Sequence, residues 1–184
     1  STLEILHFPD TRLRQIAEEI TVFDEELMTL AKKMLETMYV SKGIGLAAIQ
    51  VNIKKRLIVI DVSEKRDNPL FLINPEIYEK NNKIESEEGC LSVPGFYDKV
   101  ERYNNIKYKS SDFEGNSQDY EAEGLLAVCI QHEIDHLNGK LFVDYLSDLK
   151  RDRIAKKIQK LSAQGKLPSS CLLYTSDAAD ERSS

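Results

Sequence analysis

Between residues 24 and 39 the apolar side chains Leu27, Leu30, Ala31, Met34, Leu35 and Met38 recur at spacings of three and four, with Asp24 ahead of them. That period is helical and Asp24 suits an N-cap, so the pattern predicts an amphipathic helix. The pattern then changes. RLIVIDV (56–62) and FLINPEIY (71–78) are β-branched and aromatic runs separated by the polar SEKRDNP (63–69), which predicts two strands and a loop. Further strands are expected at 83–87, 99–109 and 118–123. Helical spacing returns in GLLAVCIQHEIDHLNG (124–139), an apolar run that stops at Asn138-Gly139, and this helix should be central. A last helix is expected over 147–163, with Leu149, Ile154, Ile158 and Leu161 on one side. Its other side is basic, carrying Lys150, Arg151, Arg153, Lys156, Lys157 and Lys160.

Composition narrows the class. With 184 residues, 41% of them hydrophobic, the chain can bury the core of a single domain. A formal net charge of −6 gives no overall attraction to nucleic acid, so no sequence-specific nucleic-acid role is expected and any basic surface must be a patch. No apolar run approaches the roughly 20 residues that span a bilayer, and STLEILHFPDTRLRQ (1–15) lacks a basic segment followed by an apolar signal core. The expectation is a cytoplasmic protein, monomeric and without a membrane partner. Cys90, Cys129 and Cys171 are odd in number and widely spaced, which argues for reduced thiols that pack or bind metal. The end of the chain is small, polar and aperiodic, and CLLYTSDAADE (171–181) resembles the translated read-through of a sequencing adapter. We therefore expect one folded domain over 1–167 and a disordered, non-native tail at 168–184.

His132-Glu133-Ile134-Asp135-His136 is an H-E-x-x-H motif inside the predicted central helix. Residues four apart share a face about 5.4 Å apart, so both imidazoles can converge on one ion. Glu133, about 100° further round, is poorly aimed as a ligand but can reach a water on that ion, the position of a general base. A chance match belongs in a charged, solvated run, whereas this one lies in an apolar helix. A catalytic site needs a third protein ligand and an open position. Residues 137–180 contain no glutamate, and the third histidine, His7, lies in LHFPD, which reads as a turn. Cys129 shares the face of the two histidines, but these three residues span about 10.5 Å of helical rise and cannot all reach one ion. Cys90, on the separate glycine-flanked turn EGCLSVPG (88–95), is free to approach the helix and is the candidate third ligand.

Three stretches in order, GIGLAAIQ (43–50), EGCLSVPG (88–95) and QHEIDHLNG (131–139), resemble the signatures of the peptide deformylases, which remove the formyl group from new polypeptides beginning with N-formylmethionine. The resemblance covers roughly residues 3–161. It implies an α+β fold in which a metal-bearing helix packs against mixed, mainly antiparallel sheets, with N-terminal and C-terminal helices outside. It implies that Cys90, His132 and His136 bind the metal, that Glu133 is the acid and base, and that Gln50 and the Leu91 backbone N–H stabilise the oxyanion. Gly45 would pair its backbone with the substrate, near Gly43 and Gly89, and Ile44, Leu125, Val128 and Cys129 would line the methionine pocket. One thiolate and two imidazoles suit Fe2+ or Zn2+; the resemblance favours Fe2+, with Ni2+, Co2+ or Zn2+ able to substitute. The implied partners are N-formylmethionyl nascent peptides and, through the basic last helix, the ribosome. One departure stands out: bacterial relatives often carry an arginine shortly after the cysteine signature, where this chain has Tyr97 in GFYDKVER (95–102).

Two rival readings remain. A metalloprotease would take Asp144 as third ligand. A metal-stabilised binding protein, or an inactive relative that docks on ribosomes, would need neither Glu133 nor Gln50 and would want a fourth cysteine or histidine.

Overall fold

A computed structural model describes residues 1–167 of the chain; the tail expected at 168–184, with Cys171, lies outside the described residues. Helix α1 (Glu25–Val40) starts where the periodicity begins, and the Asp24 carboxylate accepts from the Leu27 N–H at 3.0 Å. Helix α2 (Gly124–Leu137) ends at Asn138, followed by Gly139 at φ +75. Helix α3 (Asp148–Ala163) is capped by Ser147, whose side chain accepts from the Lys150 N–H. It buries Ile154 and Ile158, while Leu149, expected on the same face, is 69% exposed because the apolar contact starts a turn later. The turn expected at LHFPD is present, with Asp10 N–H donating to His7 O at 2.9 Å.

The strands β1 (Gly45–Ala47), β2 (Leu57–Ile60), β3 (Leu70–Cys90), β4 (Val93–Ser111) and β5 (Ser117–Glu123) form one five-stranded sheet in the order β1-β2-β3-β4-β5. Its ladders are antiparallel throughout, and an isolated parallel bridge joins Glu18 to Lys55. The two strands expected at 71–78 and 83–87 are a single strand. The polar residues between them continue the ladder, Asn81 opposite Asn105, on a face turned to solvent where no hydrophobic alternation is needed. Asn82 takes a positive φ of 63 there, and its side chain donates to Asn105 Oδ1 at 2.8 Å.

Strand β2 explains the continuous apolar run of the sequence, because both of its faces are covered. Ile58 and Ile60 pack with Ile44, Cys129 and Ile130 beneath α2, while Leu57 and Val59 pack with Leu27, Met34 and Met38 beneath α1. A further cluster joins Leu6, Phe8 and Leu13 of the N-terminal segment to Cys90, Val93, Phe142 and the α3 isoleucines. No helix of the described residues is long and apolar enough to cross a membrane.

Gly139 has a second constraint beyond its positive φ: a Cβ there would lie 2.6 Å from the Arg14 carbonyl oxygen. Gly124, at φ +63, has open space around the same position. Gly124→Ala should therefore cost only the left-handed strain, about 1 kcal/mol, which at roughly 2–4 °C per kcal/mol is a small shift in Tm. Gly139→Ala should lower Tm by clearly more, since backbone must also move. Thermal melts of the two variants check this, and equal shifts would contradict it.

Candidate metal centre and active site

Helix α2 sets His132 and His136 one turn apart and buries both. The β3–β4 hairpin turns at Leu91-Ser92, with Cys90 opposite Val93, and delivers Cys90 to the same point. The Cys90 Sγ and one nitrogen of each histidine lie within 4.8 Å of one another. The two Nε2 atoms are 3.1 Å apart. His132 Nδ1 lies 2.8 Å from Glu88 Oε1; an ionised carboxylate only accepts, so a ring proton sits on Nδ1 and Nε2 is the nitrogen turned to its neighbour. Facing lone pairs repel unless a cation or a proton lies between them. Glu133 Oε1 and His136 Nδ1 are buried with no hydrogen-bond partner among the described residues. A soft thiolate, two imidazole nitrogens and a buried carboxylate beside them fit a divalent transition metal.

Glu88 is the residue that sequence reasoning missed. It is fully buried, bonded to His132 and bidentately to Arg102, whose Nε and Nη2 donate at 2.7 and 2.9 Å. Arg102 also donates from Nη1 to Asp135 at 2.7 Å, and the Tyr145 hydroxyl donates to the same Asp135 oxygen. Burial alone would raise the Glu88 carboxyl, but the hydrogen bonds from Arg102 and His132, with the Arg102 charge, bring it down to about 2. The available signal was alternation: Ser86 and Glu88 on β3, and Val100 and Arg102 on β4, are buried at alternate positions, so two of those four inward positions carry charge.

Glu133 is buried on α2, and burial pushes its carboxyl up to about 7, with the Glu88 and Asp135 charges adding and His132 and Arg102 opposing. It lies against β1: a Cβ on Gly45 would sit 2.4 Å from Glu133 Oε2 and 2.9 Å from Cys129 Sγ. Gln50 is buried and held at both ends of its amide. Ala47 N–H donates to Oε1 at 2.9 Å, and Nε2 donates to Ser92 Oγ at 3.1 Å, which ties Gln50 to the turn bearing Cys90 and Leu91. Gly43 lies against the Leu91 side chain, 2.7 Å from its would-be Cβ, and Gly89 lies under the Tyr97 ring, 2.4 Å from its own. Ile44, Cys129 and Leu125 share one apolar cluster; Val128 is fully buried on α2.

Strand β1 is the edge of the sheet. Asp61 N–H donates to Ile44 O, so Ile44 faces β2, and by alternation Gly45 turns its N–H and C=O to the open side. Two candidates stand apart from the centre. Asp144 is held by Arg14 at 2.7 and 2.9 Å and accepts from the Leu141 N–H, so the protease-type ligand set is not assembled. Cys129 is a buried thiol raised by desolvation, outside the ligand cluster.

An H-E-x-x-H helix against an antiparallel sheet, completed by a cysteine from a hairpin, defines a metal-dependent hydrolase. The comparisons with known proteins carry this to a family. Residues 2–152 match the family model described as polypeptide deformylase. The peptide deformylase of Pseudoalteromonas translucida is 56% identical over 160 residues, 87% of this chain and 96% of that protein. The crystal structure of a peptide deformylase from Legionella pneumophila superposes with a TM-score of 0.85 at 47% identity, covering 91% of this chain and 100% of that one. That of the Ehrlichia chaffeensis enzyme in complex with actinonin gives 0.83 at 42%, covering 87% and 97%. The chain belongs to the polypeptide deformylase family, metal-dependent enzymes that remove the N-terminal formyl group from nascent polypeptides.

The Glu88 network makes a stability prediction. Glu88→Gln leaves the buried Arg102 with Asp135 alone, and breaking such a pair costs about 3 kcal/mol. At roughly 2–4 °C per kcal/mol, Tm should fall by some 6–12 °C. Glu121→Gln, which removes one of the two exposed partners of Lys107, should change Tm by no more than a degree or two. Equal effects of the two substitutions would contradict the account.

Proposed function

We propose that Cys90, His132 and His136 hold one divalent ion, Fe2+ in preference to Zn2+, Ni2+ or Co2+, and that Glu133 is the acid and base of deformylation. Residues 1–167 form the catalytic domain of a cytoplasmic monomer. The observation that carries this is the contact of Glu133 with Gly45. A peptide aligned along the open edge of β1 brings its formylated N-terminus to the carboxylate that must handle protons.

A divalent ion in this ligand set supplies Lewis acidity, making a water easier to deprotonate at neutral pH and drawing charge from a carbonyl oxygen. Glu133 takes the proton of the water as its oxygen attacks the formyl carbon. Negative charge develops on the formyl oxygen, where the Gln50 Nε2–H and the Leu91 N–H receive it; such donors are worth about 3 kcal/mol each. The bond that Gln50 Oε1 accepts from the Ala47 N–H keeps Nε2, and not Oε1, turned to that charge. Glu133 then protonates the amide nitrogen, the C–N bond breaks, and formate leaves the free α-amine. A carboxyl near 7 is matched to both transfers. The peptide backbone pairs with Gly45, flanked by Gly43 and Gly89, and the methionine side chain enters among Ile44, Leu125, Val128 and Cys129. Tyr97, packed on Gly89, sets an aromatic ring beside the turn that bears Cys90, where relatives with arginine would present charge. The exposed Arg153, Lys156, Lys157 and Lys160 of α3 support ribosome docking through phosphate contacts.

The test measures metal stoichiometry and formate release from an N-formylmethionyl peptide on the same preparations. Glu133→Gln should keep its metal and lose roughly 100-fold or more in kcat, since an amide can neither take nor return the proton. Cys90→Ala should lose metal and activity together, and Cys129→Ala should keep its metal. Near-normal turnover in metal-replete Glu133→Gln, or a full metal complement in Cys90→Ala, would overturn the assignment, and cleavage of the peptide bond in place of formate release would return the protease reading.

A further inference from the structure

Arg66 stands in the loop between β2 and β3 with φ +58, a left-handed conformation that a residue with a Cβ adopts only when its surroundings hold it there. What holds it is a set of contacts reaching across three elements. Its Nη2 donates to the carbonyl oxygen of Gly43, at the entry to β1. Its Nη1 donates to the carbonyl oxygen of Asp61, at the exit of β2, at 3.0 Å. The guanidinium lies over the ring of Tyr39, near the end of α1, with 5.1 Å between Cζ and the ring centroid. Asp61 is itself fixed. Tyr39 Oη donates to its Oδ2 at 2.5 Å, the Ser63 and Asn68 N–H groups donate to its carboxylate at 2.9 and 3.2 Å, and its own N–H donates to Ile44 O at 2.9 Å.

The segment tied down in this way is anchored by the buried side chains of Ile44 and Leu46 and by its ladder to β2, but its two glycines add no side-chain contact of their own. Gly43 and Gly45 carry no side chains, and glycine has the widest conformational freedom of any residue. Yet their positions matter at close range, Gly43 against Leu91 and Gly45 against Glu133 and Cys129. A fork of donors on the Gly43 and Asp61 carbonyls adds a restraint at that point, and a planar guanidinium presents its donors in a fixed geometry where the three donors of an ammonium sit on a flexible stem.

We propose that Arg66 is a positioning residue for the substrate peptide: by clamping Gly43 to Asp61 and Tyr39 it holds the open edge of β1 in the alignment that pairs with the peptide backbone. The proposal rests on reading that edge as the peptide-binding strand. It assigns Arg66 no contact with the reacting atoms, so its effect belongs in binding of substrates long enough to use the edge.

Steady-state kinetics on the full chain separate this from a general structural role. With an N-formylmethionyl tripeptide, Arg66→Ala should raise KM about ten-fold with kcat within about two-fold of the parent, and Arg66→Lys should fall between. With N-formylmethionine amide, which has almost no backbone to pair, KM should move less than about two-fold. Metal content should not change in either variant. An unchanged tripeptide KM, or equal losses on the two substrates, would overturn the clamp. Hydrogen exchange gives a readout independent of turnover: the Asp61 amide should exchange faster in Arg66→Ala than in the parent, and unchanged exchange would overturn the clamp. A parent protein that releases no formate would instead overturn the functional reading, with the exchange measurement still deciding the clamp.

Discussion

The buried carboxylate of Glu88 joins the two halves of the site. It is carried by β3, bonded to Arg102 on β4 and to His132 on α2. Through it the hairpin that bears Cys90 and the helix that bears the imidazoles are held in one register. Its ionisation depends on Arg102, because burial would otherwise favour the neutral acid, which could donate to His132 and reverse the ring's proton arrangement. A carboxylate on the outer nitrogen of a metal-binding imidazole fixes the tautomer and makes the inner nitrogen a better ligand. The charge that makes Glu88 useful to His132 is thus maintained by a second buried ion, which is in turn balanced by Asp135.

Around this fixed point the molecule divides its labour. Strand β2 is covered on both faces by α1 and α2, which makes the middle of the protein dense and hard to deform. Strand β1, beside it, has only three residues and one open edge. Close packing reaches that edge through glycines, whose missing Cβ atoms bring Glu133 and Leu91 against the backbone. The glycines add no side-chain contacts of their own, and the bonds that Gln50 accepts from Ala47 and that Arg66 donates to Gly43 add restraint to the buried strand from outside the sheet.

Much of this was legible in the sequence, for reasons that differ by residue. The caps Asp24 and Ser147, the helical spacing of α1 and α2, and the H-E-x-x-H pair are local features whose geometry follows from the chain itself. Cys90 was reached by excluding what a straight helix cannot do. Strand β3 was divided in error at residues 79–82, because its polar stretch faces solvent and leaves no hydrophobic signature. Glu88, Arg102 and Arg66 were not assigned roles, since each acts across a long sequence separation. Glu88 meets its arginine 14 residues away and its histidine 44 away, and Arg66 meets a backbone carbonyl 23 residues back. A carbonyl acceptor has no residue type to read, so contacts like that of Arg66 are the least visible from sequence.

The central claim is that one thiolate and two imidazoles, aligned by Glu88, hold a single ion with a position left for chemistry. Absorption spectroscopy of the protein loaded with Co2+ tests it most directly. The account predicts a thiolate-to-cobalt charge-transfer band that disappears in Cys90→Ser and persists in Cys129→Ser, with visible ligand-field bands that shift when formate is added. A charge-transfer band that survives loss of Cys90, or ligand-field bands indifferent to formate, would contradict it.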